Sequence, residues 1–157
     1  MTSANTPVNS QNWIDRINES DDYIKDMVGY FNEGWDARGE DDKQKIQDRI
    51  KANLVLTLTY VDEVLKELIK IGSTANAVFI KIDSFVSQTA LLTIPIEKYL
   101  MDEFVEIYTV TDKIERDSRS ENYNVRINFT FDDGSIDETI LKGDGYHKSH
   151  TLKRSGE

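Results

Sequence analysis

The architecture of this 157-residue chain turns on residues 73–94, STANAVFIKIDSFVSQTALLTI. Val78, Ile82, Phe85, Thr89 and Leu92 recur at a spacing that suits one face of a helix begun after Ser73. AVFIKID and TALLTIP are instead rich in β-branched residues, which favour the half-buried surface of a sheet. The β-branch content decides the reading, and two short strands forming a hairpin are expected.

The flanking segments read as helices. From Asp41 to Ile71 there is no Gly or Pro, and Ile46, Ile50, Leu54, Val61, Leu65 and Leu68 recur at helical intervals. Acids lie at the front of this segment, Lys66 and Lys70 at its back, and Gly72 follows as a stop, in accord with the helix dipole. LVLTLTYV within it alternates as a strand would, but strong helix formers surround it. At about 1.5 Å per residue the helix would run on the order of 45 Å. Earlier, Ile14, Ile17, Ile24, Met27 or Val28, and Phe31 form an apolar stripe over residues 12–34, so a long helical hairpin is expected. Downstream of Pro95, Ile96, Leu100, Phe104, Ile107, Thr111 and Ile114 predict a third helix to about Asp117, with proline tolerated in its first turn.

YNVRINFTF, residues 123–131, alternates cleanly, with Val125, Ile127, Phe129 and Phe131 on one side. Asp133-Gly134 is a strong hairpin turn, and pairing across it would set Phe131 against Ile136 and Ile127 against Ile140. A further strand fits residues 146–152. The predicted fold class is therefore α+β: a long N-terminal helical hairpin and a third helix packed on a small antiparallel sheet that ends in a C-terminal β-hairpin. Residues 1–11 read as a disordered polar lead-in, 12–142 as one domain, and 143–157 as a basic mobile tail or edge strand.

Charge narrows the function. The net charge is -10, and it is patchy: residues 15–48 hold eleven acids against five bases, and residues 97–141 twelve against five. Such surfaces repel a phosphate backbone, which argues against direct nucleic-acid binding and for a basic protein partner. No segment has the length and apolarity of a membrane span, and the N-terminus lacks the features of a secretory signal. The absence of cysteine fits a reducing cytoplasm and removes thiolate nucleophiles and cysteine-ligated metals.

The candidate chemical sites dissolve on inspection of spacing. His147 and His150, the only histidines, are three apart behind Gly143 and Gly145, so on a regular strand their rings fall on opposite faces. Asp102, Glu103 and Glu106 share a helix that holds no histidine, and FDDGSIDE fails the calcium-loop spacing. GSTAN lacks a phosphate-loop lysine, and no serine lies in a nucleophile elbow. No catalytic, cofactor-binding or metal-ligating residue is assigned, and no cofactor is expected.

One cluster rises above this background. Tyr30 and Trp35 adjoin Asp36, Glu40, Asp41 and Asp42, an aromatic pair rimmed by acids. Trp and Tyr dominate interface hot spots, and the acids would steer a basic partner onto them. The plainer reading is that these aromatics close the end of the helical hairpin. The expected function is a non-enzymatic protein-binding module: an acidic inhibitor, immunity- or antitoxin-like protein, or adaptor that masks a basic surface. That expectation includes an analogy of size and acidity, and no motif carries it. Two other classes compete with it. One is an oligomeric structural protein that self-associates through the long second helix; the other is a small-ligand or enzymatic domain working through Asp and Glu.

Overall fold

A computed structural model describes residues 39–151, with side chains through residue 148. Helix α1 spans Glu40–Lys70, strand β1 Ala77–Ile82 and strand β2 Ser87–Pro95. A short helix α2, Ile96–Tyr99, and a 3-10 turn, Asp102–Phe104, lead into α3, Val105–Ser118. Strand β3, Asn124–Asp132, helix α4, Glu138–Gly143, and strand β4, Tyr146–Thr151, complete the order. The fold is α+β. Residues 12–34, the first arm of the expected helical hairpin, lie outside the described residues.

The sheet is mixed, in the order β3-β2-β1-β4. The stretch at residues 73–94 forms the β1–β2 antiparallel hairpin, with Ile80 opposite Ala90. Ser84 closes its turn, the hydroxyl oxygen accepting from the N–H groups of Val86 and Ser87. Sheet alternation then separates Val78, Ile80 and Ile82 from Ala77, Phe79 and Lys81. The first three join the core beneath the helices, together with Ala90, Leu92 and Ile94 of β2 and Val125 and Ile127 of β3.

The long helix forms as the sequence predicts, and its charges suit its ends: Glu40, Asp41 and Asp42 occupy the first turn and Lys70 the last. Gly72 ends it at φ +79°, in the left-handed region that glycine adopts without strain. There the Gly72 N–H donates to the Ile69 carbonyl and the Ser73 N–H to the Leu68 carbonyl, which together satisfy two of the last-turn acceptors. The third helix departs from a single rod. It breaks at Leu100–Met101, where Met101 is extended (ψ 140°), and the bend carries Tyr99 back against Phe104 at 5.0 Å between ring centroids.

The C-terminal hairpin does not form. β3 instead pairs in parallel with β2, Ala90 opposite Ile127, after a crossover through α3. The Asp-Gly turn is present but is closed by side chains: Asp132 accepts from the Gly134 N–H and Asp133 from the Ser135 N–H. Asp137 then caps α4 by accepting from the N–H groups of Thr139 and Ile140. Residues needed for the returning strand are thereby committed to a helix turn, and short Asp-capped segments favour that outcome. β4 lies at the far edge of the sheet, antiparallel to β1.

Polar groups inside the core tie the layers together. Thr57 of α1 donates to the Gln88 side-chain oxygen at 2.6 Å, and the Tyr123 hydroxyl lies 2.8 Å from Thr57. A hydroxyl has one proton, so with Thr57 donating to Gln88, Tyr123 must donate to Thr57. Gln88 passes the sequence on by donating to the Ile50 carbonyl, 3.4 Å away. Beside this relay, Asn53 donates to the carbonyl oxygens of Phe85 and Asn122, at 3.2 and 3.0 Å. One amide therefore clasps the β1–β2 turn and the loop before β3.

These contacts lead to two measurements. Asn53→Ala removes the donor that both loop carbonyls use and is expected to cost about 1–3 kcal/mol in urea unfolding; a loss under about 0.5 kcal/mol would show that the clasp is idle. Burial pushes the Tyr123 hydroxyl above the ordinary value of 10.0, aided by the nearby Tyr60. A pKa raised by folding gives stability that is present below the unfolded value and is lost as pH rises beyond it. Tyr123→Phe should therefore flatten the alkaline limb of a stability–pH profile above about pH 10, and an unchanged slope would refute the assignment.

Candidate functional site

Of the six residues singled out from sequence, Tyr30, Trp35 and Asp36 lie outside the described residues. Glu40, Asp41 and Asp42 sit exposed on the first turn of α1, with Lys43 3.7 Å from Glu40. At those three positions the acids complement the helix end, a role that requires no partner.

A different surface gathers aromatic side chains. α3 crosses β3 so that Ile107, Thr111 and Ile114 face the core while Tyr108 and Asp112 lie toward the outer edge of β3. Phe104 packs edge-on against Phe129 at 5.2 Å, Tyr108 against the same ring at 5.8 Å, and Tyr99 against Phe131 at 6.0 Å. These separations suit aromatic pairs. The band is only half covered: Tyr108 is 44% exposed and Phe131 45%, with Val105 at 67% beside them. Its tyrosine hydroxyls meet at 2.9 Å. Partial burial and the Tyr99 hydrogen bond raise the Tyr108 pKa from 10.0 to about 12.

Between α3 and the free side of β3 runs an open groove of ≈ 900 Å³, bordered by Val105, Tyr108, Asp112, Glu115, Ile127 and Phe129. The backbone of β3 presents alternate groups to it. The Asn124 N–H donates inward to the Val86 carbonyl, whereas the Ile127 N–H turns outward and meets the Glu115 carboxylate at 3.4 Å. By the alternation of a strand, the backbone groups of Val125, Ile127, Phe129 and Phe131 all face outward. Among the described residues no strand pairs with that edge. The charged side chains that border it are acidic, Asp112 and Glu115, and Arg116 offsets Asp112 in a solvent-exposed ion pair of 2.9 Å.

A second polar grouping lies on the opposite face of the sheet. One row across the sheet sets Tyr146, Lys81, Thr89 and Arg126 side by side. Thr89 donates to Asp83 at 2.6 Å, and the Lys81 ammonium lies 5.6 Å from the centre of the Tyr146 ring. Burial, then the charges of Asp83 and Asp144, raise the Tyr146 pKa against the opposing pull of Arg126. The histidine pair gains from an irregularity that spacing does not reveal. A register shift between Val78 and Phe79 sets His147 opposite Ile80 and His150 opposite Val78, so both occupy register positions of one face. Among the described residues no group of three or more His, Asp or Glu is placed to hold a metal ion, and no helix is long and apolar enough to cross a membrane.

No protein-family model, curated protein or solved structure matches the chain. Function therefore rests on the surface itself.

The aromatic band carries a partial signal in sequence. Phe129 and Phe131 are legible as one face of a strand, and Tyr108 falls at a helical spacing that leaves the core stripe. What joins them is the parallel pairing of β3, which no local pattern encodes. In an alkaline ultraviolet titration the folded chain should show a tyrosine with a midpoint near about 12 that Tyr99→Phe moves down toward 10.0. In a Tyr123→Phe background, which removes a second late-titrating hydroxyl, a midpoint that Tyr99→Phe leaves in place would show that burial alone raises it.

Proposed function

We propose that the chain is a non-enzymatic protein-binding module that uses an acidic surface with exposed aromatic anchors to mask a basic surface on a partner protein. The observation that carries the reading is the half-exposed Tyr99, Tyr108 and Phe131 band beside the exposed acids of α3. Exposed large aromatics grouped in one place are the residue types that anchor interfaces, and exposed acids at their border steer cations toward them. The acidic net charge of -10 supports the same sign of partner.

Self-association through α1 draws less support. Ile50, Leu54, Leu58, Val61, Val64, Leu65 and Leu68 of that helix are already buried in the core. Leu56 and Ile69 remain exposed, but they are thirteen positions apart and not part of one groove. An acid-driven enzymatic site draws no support from Asp133, whose carboxyl is held low by Ser135 within its own exposed turn.

Affinity capture from the native cell at low ionic strength tests the proposal. A basic protein should co-elute, should release as salt rises past the range where charges are screened within about 8–10 Å, and should fail to bind a Tyr108→Ala, Phe131→Ala double variant that keeps its circular dichroism. A chain that elutes alone, or with an acidic partner that the double variant retains, would refute it.

A further inference from the structure

The outer edge of β3 offers more than a sticky surface. It presents backbone donors and acceptors of Val125, Ile127, Phe129 and Phe131 in register, and an added strand would use them as β2 uses the inner side. Directly above this edge, the groove under α3 is apolar at Val105, Tyr108 and Phe129 and acidic at Asp112 and Glu115. A strand laid there would point alternate side chains into the groove and the others toward the side of the sheet that carries Arg126, Asn128 and Thr130.

We propose that β3 accepts an extended, basic segment of a partner protein as a fifth strand, with alternate side chains of that segment entering the groove beneath α3. The inference rests on the protein-binding reading above and adds its geometry.

Charge selects the occupant. Asp112 and Glu115 would repel an acidic or phosphorylated segment and attract Lys or Arg, and Glu115 has a second part to play. Its carboxylate now accepts the outward Ile127 N–H at 3.4 Å, a long contact that shields one edge donor. An incoming carbonyl takes over that donor, and the released carboxylate becomes a counter-ion for a basic side chain. The exposed Arg116–Asp112 pair is similarly weak and open to exchange. A second copy of this chain fits poorly, since pairing two β3 edges would bring two sets of these acids together in a molecule of net charge -10.

The probe is a synthetic heptapeptide of alternating lysine and valine, observed by backbone-amide NMR and fluorescence anisotropy with the full chain. Shifts should concentrate at the amides of Val125, Ile127, Phe129 and Phe131, and a peptide with glutamate in place of lysine should not bind. N-methylation of every second peptide amide removes donors from one edge of the strand only. One phase of methylation should weaken binding about tenfold or more while the other phase is tolerated. Val105→Lys should weaken it about tenfold through like charge and a filled groove, with the unbound spectrum otherwise preserved.

Equal binding by both methylated peptides overturns strand addition but leaves recognition of basic partners standing, since charge alone would then hold the peptide. Shifts centred on Glu40, Asp41 and Asp42 overturn the site. Self-association of the chain through β3 amides, seen as concentration-dependent shifts without peptide, overturns the choice of occupant. Failure to bind the lysine peptide refutes strand addition, and failure of the native-cell capture as well removes the broader function with it.

Discussion

The relay from Tyr123 through Thr57 and Gln88 to the Ile50 carbonyl is the constraint on which the arrangement of layers depends. It is buried, so each member left alone would carry the cost of a desolvated polar group, and only one relative placement of α1, β2 and the start of β3 satisfies all of them. Apolar packing could accept small slides of α1 over the sheet; these hydrogen bonds do not. Asn53, one turn before Thr57 on the same helix, adds the two loop carbonyls to the same fixed frame.

That frame explains how an edge can be held open beside a helix. With the loop before β3 tied to α1, β3 enters the sheet in a set register next to β2 and its first outward residues are placed before any partner arrives. The bend at Leu100–Met101 then matters for a second reason. A continuous third helix would carry Tyr99 and Phe104 past one another, whereas the broken one folds them onto Phe129 and Phe131 and covers the end of the strand with rings instead of backbone. Support and exposure thus come from separate parts: polar bonds fix the strand, and aromatic contacts shape its border.

Much of the fold is visible in local pattern because its causes are local. Helix α1 announces itself through periodicity, end charges and Gly72, and the strands of residues 73–94 through β-branched content that outweighs a competing helical spacing. The C-terminal hairpin is misread because Asp-Gly signals a turn without specifying the element after it; Asp137, reading as one more acid in an acidic run, is a helix cap. The parallel partnership of β2 and β3 is set by the crossover and the buried relay, contacts between residues more than thirty positions apart, and no window of sequence contains them. For the same reason the candidate surface is only half legible. Acidity can be summed from composition, and it favours a basic partner, but the grouping of Tyr99, Tyr108 and Phe131 arises only when the strand lies beneath α3.

The position of β4 bears on how the molecule assembles. The β1–β2 hairpin and α1 are neighbours in the chain, and β3 joins after one crossover, but β4 must return to β1 across some seventy residues, as in the pairing of Val78 with His150. Contacts that close long loops form late, and edge elements held by few of them open early. Until β4 arrives, β1 shows solvent one unpaired edge of the sequence AVFIKI, short, strongly β-forming and carrying a single charge. The lysine- and histidine-bearing strand that covers it has little apolar content of its own. Its service is to the chain in transit as much as to the finished fold: it converts a strongly β-forming segment of the sheet from an edge into an interior strand.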